Sequence, residues 1–176
     1  MEQKFELRLL SLQWLETLPA EEDLCAHGQV AARLGGCVLS DEQNSWTVSA
    51  AALFLLRTLT ADHTPEHPVG EQLLPCCGHT MWPNETSEDV LVLGCPNGAD
   101  WWVQHHQKQV QLTAPGGKSV LIPFDAYRTQ VLDFVDQVEA FYQRIAPKKA
   151  PADAVDARGY ELFWAEWHRR RQQWSR

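Results

Sequence analysis

The chain has 176 residues, of which 44% are hydrophobic, with ten prolines and ten glycines; this fits one folded domain and excludes a wholly disordered protein. Its 15 basic and 23 acidic residues give a net charge of −8 at neutral pH, and because an acidic surface repels phosphate backbones we expect no nucleic-acid partner. The longest apolar run, at 48–56, is shorter than the about 20 residues of a membrane helix, so no membrane partner is expected either.

The first forty residues predict β-structure. Hydrophobic and polar side chains alternate over residues 4–15 with a period of two, which is typical of a strand. Residues 24–40 predict two further short strands, and glycines offer two places for the turn between them, Gly35-Gly36 or the region of Gly28.

The clearest helix pattern lies at residues 47–60. Alanines and leucines fill one side of it, and Thr47 is suitably placed to cap its N-terminus. The next segment contains His63 and His67 at a spacing that would suit a metal on a helix, but Pro65 between them prevents a regular helix and favours a loop.

Residues 89–124 predict a three-stranded antiparallel meander with two glycine-containing turns. The strands lie at 89–95, 101–113 and 119–124, and the turns contain Asn97-Gly98 and Gly116-Gly117. Near His106–Lys108 the hydrophobic residues change from one face of the middle strand to the other, which predicts a β-bulge.

Residues 125–145 predict an amphipathic helix, with Asp125 as its N-cap. Together the elements predict an α+β fold, in which an antiparallel β-sheet packs against amphipathic helices. We expect a single domain at 1–146, a Pro/Ala-rich linker at 147–157, and an aromatic and basic helix at 158–176 that docks on the domain. The aromatic residues of this last helix form one stripe: Tyr160, Phe163, Trp164, Trp167 and Trp174.

Five cysteines are an odd number, and the N-terminus does not resemble a secretory signal, so we expect reduced thiols and a cytoplasmic location. Two short segments repeat a Cys-x-His spacing, with Cys25 and His27 in the first and Cys77 and His79 in the second. These four residues could supply a tetrahedral zinc site. The single intervening residue is shorter than the usual two to four, which favours ordinary structural cysteines and leaves zinc as an alternative, with Cys95 as a further candidate ligand.

The same region allows a second chemical interpretation. Cys76 or Cys77 could act as a nucleophile with His79 or His27 as its base, oriented by an aspartate such as Asp62 or Asp100. No specific motif around these residues supports that arrangement.

Charge is distributed unevenly, since residues 147–176 are net positive and residues 1–146 are net negative. We therefore expect a non-catalytic, acidic protein-binding domain without a cofactor, most concretely a bacterial immunity or antitoxin-type inhibitor that neutralises a basic partner such as a toxin. The alternatives are a small zinc- or thiol-dependent enzyme and a structural protein that forms a homodimer through its Trp-rich C-terminal helix. The expected partner-binding residues are Glu21, Glu22, Asp23, Asp41, Glu42, Trp82, Glu85, Glu88, Asp89 and Trp102.

Overall fold

A computed structural model of the chain describes residues 4–78, 80–145 and 147–174. It contains helices and antiparallel sheets, which confirms the predicted α+β class. The strands are β1 (Phe5–Leu9), β2 (His27–Leu34), β3 (Cys37–Ser40), β4 (Ser45–Thr47), β5 (Leu74–Pro75), β6 (Thr80–Trp82), β7 (Leu91–Leu93), β8 (Gly98–Ala99), β9 (Trp102–His106), β10 (Gln109–Thr113) and β11 (Ser119–Pro123). The helices are α1 (Val48–Thr58), α2 (Phe124–Tyr142) and α3 (Ala154–Gln172). None of the described helices combines the length and the hydrophobicity that crossing a membrane would require.

The N-terminal sheet is built around β2, which pairs with β1, β3 and β4. Of the two predicted turn positions, the structure uses Gly35-Gly36, where both glycines have positive φ angles of 53° and 85°. Such angles cost glycine little because it has no Cβ. The strand predicted at 4–15 is shorter than expected and ends at Leu9.

The predicted meander differs from the structure in two ways. The strand expected at 101–113 is a hairpin of β9 and β10, so the predicted bulge is wrong. A two-residue turn at 107–108 reverses the chain, with Gln107 at a φ of 54°, and this reversal explains the change of hydrophobic face. The first predicted strand, at 89–95, does not join this sheet, because β7 pairs with β6 instead.

Helix α1 lies at the centre of the core. Every residue of it except Arg57 is buried, and its N-cap is Thr47 as predicted, although the Thr47 hydroxyl donates to the carbonyl of Cys76 and not to the helix.

Helix α2 packs one apolar face inward and begins after Pro123, so the predicted cap Asp125 lies inside the first turn. A carboxylate suits that position because it faces the positive end of the helix dipole.

Helix α3 is capped by Asp153, whose side chain accepts hydrogen bonds from the backbone N–H groups of Val155 and Asp156. Its start therefore lies within the segment predicted as a linker. Phe163 and Trp167 are completely buried against the rest of the chain. Near the start of the helix, Gly159 packs so closely on β6 that a Cβ there would overlap the carbonyl of Met81.

A buried carboxylate fixes the position of α3. Glu166 is 1% exposed and accepts two hydrogen bonds from Arg57, both at 2.8 Å, and one from Arg170 at 2.7 Å. It also accepts the backbone N–H of Val90 at 2.9 Å, while Arg57 donates to the carbonyls of Val90 and Val69, both at 2.7 Å. One charge cluster therefore joins α1, α3 and two loops.

Replacing Glu166 with alanine should destabilise the fold by about 3–5 kcal/mol, because two arginines would lose their buried partner. Denaturant unfolding followed by tryptophan fluorescence measures this loss. The matched control is Glu161→Ala on the same helix, where the carboxylate pairs with Arg158 in solvent and should contribute less than about 1 kcal/mol. Equal effects of the two substitutions would contradict the role given to Glu166.

Candidate functional site

The β6–β7 ribbon exposes an apolar face. Trp82 lies opposite Leu91, and Thr80 lies opposite Leu93, so these four side chains share one side of the ribbon. Trp82, Leu91 and Leu93 are 43%, 40% and 38% exposed, whereas the residues between them, Met81 and Val92, are buried on the other side. We call the four residues Thr80, Trp82, Leu91 and Leu93 the ribbon face.

Acidic residues lie beside the ribbon face. The connection from β6 to β7 is ordered by Asn84, whose carbonyl oxygen accepts the N–H of Thr86 at 3.0 Å. It carries Glu85 and Glu88, which are exposed and form no salt bridge with any residue that the structure describes. On α3, Asp156 accepts a hydrogen bond from the indole nitrogen of Trp82 at 3.2 Å.

Asp89, the last predicted acid in this connection, has an internal role. Arg169 and Arg170 bind its two carboxylate oxygens at 2.6 and 2.7 Å. Burial disfavours the charged form of Asp89, but the hydrogen bond from Arg169 and the charges of Arg170 and Arg57 outweigh this effect and lower its pKa. Its charge is thus largely neutralised within the chain.

The first group of predicted acids lies in the loop before β2. Asp23 is buried, and its carboxylate accepts the N–H groups of Leu15 at 2.8 Å and Cys25 at 3.2 Å, so it organises this loop. Glu22 forms a salt bridge with Lys149 at 3.0 Å. Glu21 is exposed.

The other predicted partner-binding residues are also separate from the ribbon. Asp41 and Glu42 lie in the connection between β3 and β4, where Asp41 accepts the N–H of Gln43 at 3.0 Å. Trp102 is half-buried, with its ring 5.6 Å from that of His63. Of the predicted residues, Trp82 lies on the ribbon face, and Glu85 and Glu88 lie in the adjoining connection with their charges exposed.

The predicted zinc ligands have different environments. Cys25 is buried, with its sulfur 4.0 Å from the carbonyl of Gly78, and burial raises its pKa to about 12. His27 lies 3.6 Å from Asp23, the thiol of Cys77 faces Cys95, and His79 lies outside the described residues. Within residues 4–78, 80–145 and 147–174, no group of three or more Cys, His, Asp or Glu side chains is arranged to hold a metal ion.

Asp100 and Asp62, the two aspartates predicted to orient a catalytic histidine, form hydrogen bonds with His63 and His105. Asp100 accepts from the buried His63 at 3.0 Å, and the other ring nitrogen of His63 accepts the N–H of Val69 at 3.0 Å. Asp62 pairs with His105 at 2.8 Å. Among the described residues, no hydrogen bond joins His63 or His105 to a cysteine.

A cluster of three thiols was not predicted as a unit. Cys76 and Cys77 meet Cys95 because the segments that carry them run antiparallel, with β5 paired to β8 and β6 paired to β7. The sequence signal for this cluster is the presence of two cysteine-containing segments with short apolar runs of similar length, which could have been aligned as a pair of strands.

No protein family, curated protein or solved structure matches this chain. A function can therefore be proposed only from features of the chain itself, and three of them are candidates. These are the ribbon face, the acids beside it and the cluster of three thiols.

Asp23→Asn should lower the free energy of unfolding at pH 7 by about 1–3 kcal/mol, because the loop loses a buried acceptor. Although burial opposes the charged form, the nearby His27 and the hydrogen bonds from the N–H groups of Leu15 and Cys25 lower the pKa of folded Asp23 below its ordinary 3.8. Its stabilisation is therefore present above pH 3.8 and is lost as the pH falls through the folded value. The difference between wild type and variant should shrink over that acidic range.

Urea unfolding at a series of pH values measures this difference. Glu21→Gln is the matched control, because Glu21 is exposed, and it should change stability by less than about 0.5 kcal/mol. A constant difference between wild type and Asp23→Asn down to the most acidic pH would contradict the role of the Asp23 carboxylate.

Proposed function

We propose that the chain is a non-catalytic protein-binding domain that recognises a basic partner protein through the ribbon face and the acids beside it. The observation that carries this proposal is the exposure of Trp82, Leu91 and Leu93 on one side of a two-stranded ribbon. Single exposed hydrophobic residues are ordinary, but a contiguous group of large ones marks an interaction site.

Trp82 has the properties of an interface anchor. Its ring offers a large apolar surface with few rotatable bonds, and tryptophan is enriched among the residues that dominate binding energy. The hydrogen bond from its indole nitrogen to Asp156 restricts the ring to one orientation before a partner arrives. Val155, the next residue along α3, is 52% exposed and adds apolar surface at the start of the helix.

The charges favour a basic partner. Glu85 and Glu88 are exposed beside the ribbon, and the chain as a whole is net negative. The arginines near the end of α3 do not offset these acids, because Arg169 and Arg170 bind Asp89, and Arg171 binds Asp136. A basic protein would be attracted to this side of the molecule and would encounter it faster at low salt.

The most concrete member of this class is a cytoplasmic bacterial immunity or antitoxin-type inhibitor. A toxin that acts on nucleic acid has a basic cleft for phosphates, and exposed carboxylates can occupy such a cleft. The ribbon would then supply the apolar contact, and Glu85 and Glu88 would supply the charges. Dimerisation through the C-terminal aromatic stripe is less well supported, because Phe163 and Trp167 are buried within the chain.

Affinity capture from the source cells at low salt tests the proposal with four matched baits. Wild type should retain a basic protein, Trp82→Ser should bind it about 30-fold more weakly because the anchor is lost, and the double variant Glu85→Gln/Glu88→Gln should bind it with a weaker dependence on salt. The control Leu121→Ser, at an exposed residue of β11, should behave as wild type.

Binding is then measured with the purified partner by calorimetry. A partner enzyme that is active when free and inactive in the complex would support the inhibitor version. An acidic partner, or one that Trp82→Ser binds as tightly as wild type does, would contradict the proposed surface.

A further inference from the structure

Three cysteines lie at an interruption between two short antiparallel ladders. Leu74 pairs with Ala99 on one side of the interruption, and Thr80 pairs with Leu93 on the other. Both ladders follow the same register, so the segment that contains Cys76 and Cys77 runs opposite the segment that contains Cys95. Because pairing is continued on both sides, the two segments are held together at both ends.

Hydrogen bonds fix the two segments at the interruption. The backbone N–H of Cys95 donates to the sulfur of Cys77 at 2.9 Å, and the N–H of Cys76 donates to the carbonyl of Asn97 at 2.9 Å. The segments approach so closely that a Cβ on Gly94 would overlap the carbonyl of Cys77. The sulfur of Cys95 donates to the carbonyl of Asn97 at 3.8 Å, within its own segment.

The three thiols are accessible and differ in acidity. Cys76 is exposed, and Cys77 and Cys95 are half-buried. The hydrogen bond from Cys77 is the largest influence that lowers the pKa of Cys95, whereas the same contacts raise the pKa values of Cys76 and Cys77. At neutral pH the thiolate fraction of the cluster is therefore concentrated on Cys95, and the thiolate is the form that reacts.

We infer that this cluster is a site of thiol–disulfide exchange, in which Cys95 attacks a low-molecular-weight disulfide such as glutathione disulfide and Cys77 resolves the product. A low-pKa, accessible cysteine beside a second thiol is the arrangement that such chemistry requires. Cys77 is the resolving residue because its sulfur already contacts the backbone of Cys95. This inference does not depend on the proposed protein-binding function.

The reaction proceeds in two balanced steps. The thiolate of Cys95 bonds to one sulfur of glutathione disulfide, the disulfide bond breaks, and one glutathione leaves as a thiolate. Cys77 then loses its proton to water or to the departed thiolate and attacks the sulfur of Cys95, and the second glutathione leaves. Two protein thiols are oxidised by two electrons, and glutathione disulfide is reduced to two glutathione molecules.

Mass spectrometry of the intact full-length protein, followed over time in glutathione disulfide, tests the inference. Wild type should lose two hydrogens and form a Cys77–Cys95 bond that peptide mapping identifies. Cys77→Ser should stop at a mixed disulfide on Cys95, and Cys95→Ser should slow modification of the cluster by about tenfold or more. Cys76→Ser should still form the bond.

Cys37→Ser is the matched control, because Cys37 is a half-buried cysteine in β3 and its loss should leave the Cys77–Cys95 bond unchanged. Circular dichroism of each variant establishes that it is folded. Three results would overturn the inference: equal reaction rates at Cys95 and Cys37, completion of the bond in Cys77→Ser through Cys76, or a purified protein whose cluster holds one zinc ion that prevents oxidation.

Discussion

The position of α3 depends on one buried carboxylate. Glu166 accepts hydrogen bonds from Arg57 of α1, from Arg170 of its own helix and from the backbone of Val90. An unpaired charge in this environment would be very unfavourable. Removing one partner should therefore destabilise the fold strongly, even where the net contribution of the intact pair is small. Because α1 is buried in the core, this contact anchors α3 to the core.

This arrangement leaves one side of the ribbon exposed. With α3 held by Glu166, Gly159 lies on the backbone of Met81, so the helix packs directly against β6. The inner residues Met81 and Val92 are buried as a result, while Trp82 and Leu91 point outward. The buried charge cluster thus helps to set which side of this largely apolar ribbon is exposed.

The charge cluster also shapes the electrostatics of the surface. Arginines of the C-terminal helix form ion pairs within the chain, and Arg170, for example, binds Asp89. The net negative charge of the rest of the chain is consequently not neutralised beside the ribbon, where Glu85 and Glu88 remain exposed. The net positive charge of the C-terminal segment therefore does not produce a positively charged patch beside the ribbon.

The sequence predicts the elements that have a strong local pattern. The helices and the N-terminal strands follow from periodicity, and Gly35-Gly36 is a turn because glycine tolerates positive φ angles. The sequence does not predict the hairpin at Gln107, because a positive φ at glutamine is uncommon and no typical turn residue stands there.

The site is less predictable because it depends on pairing between distant segments. Trp82, Glu85 and Glu88 could be selected from residue type and charge. Leu91 and Leu93 could not, because "VLVL" at 90–93 has no polar alternation to indicate which side is exposed. Likewise, the repeated Cys-x-His spacing makes Cys25 a candidate metal ligand, whereas tertiary pairing places Cys77 beside Cys95 and buries Cys25.

Amide hydrogen–deuterium exchange, measured on the free chain and on its complex with the captured partner, tests the ribbon face most directly. Protection by the partner should appear at 80–93, which spans β6, β7 and their acidic connection. The hairpin of β10 and β11 should exchange at the same rate in both samples. Protection of β10 and β11 with no change at 80–93 would contradict the account.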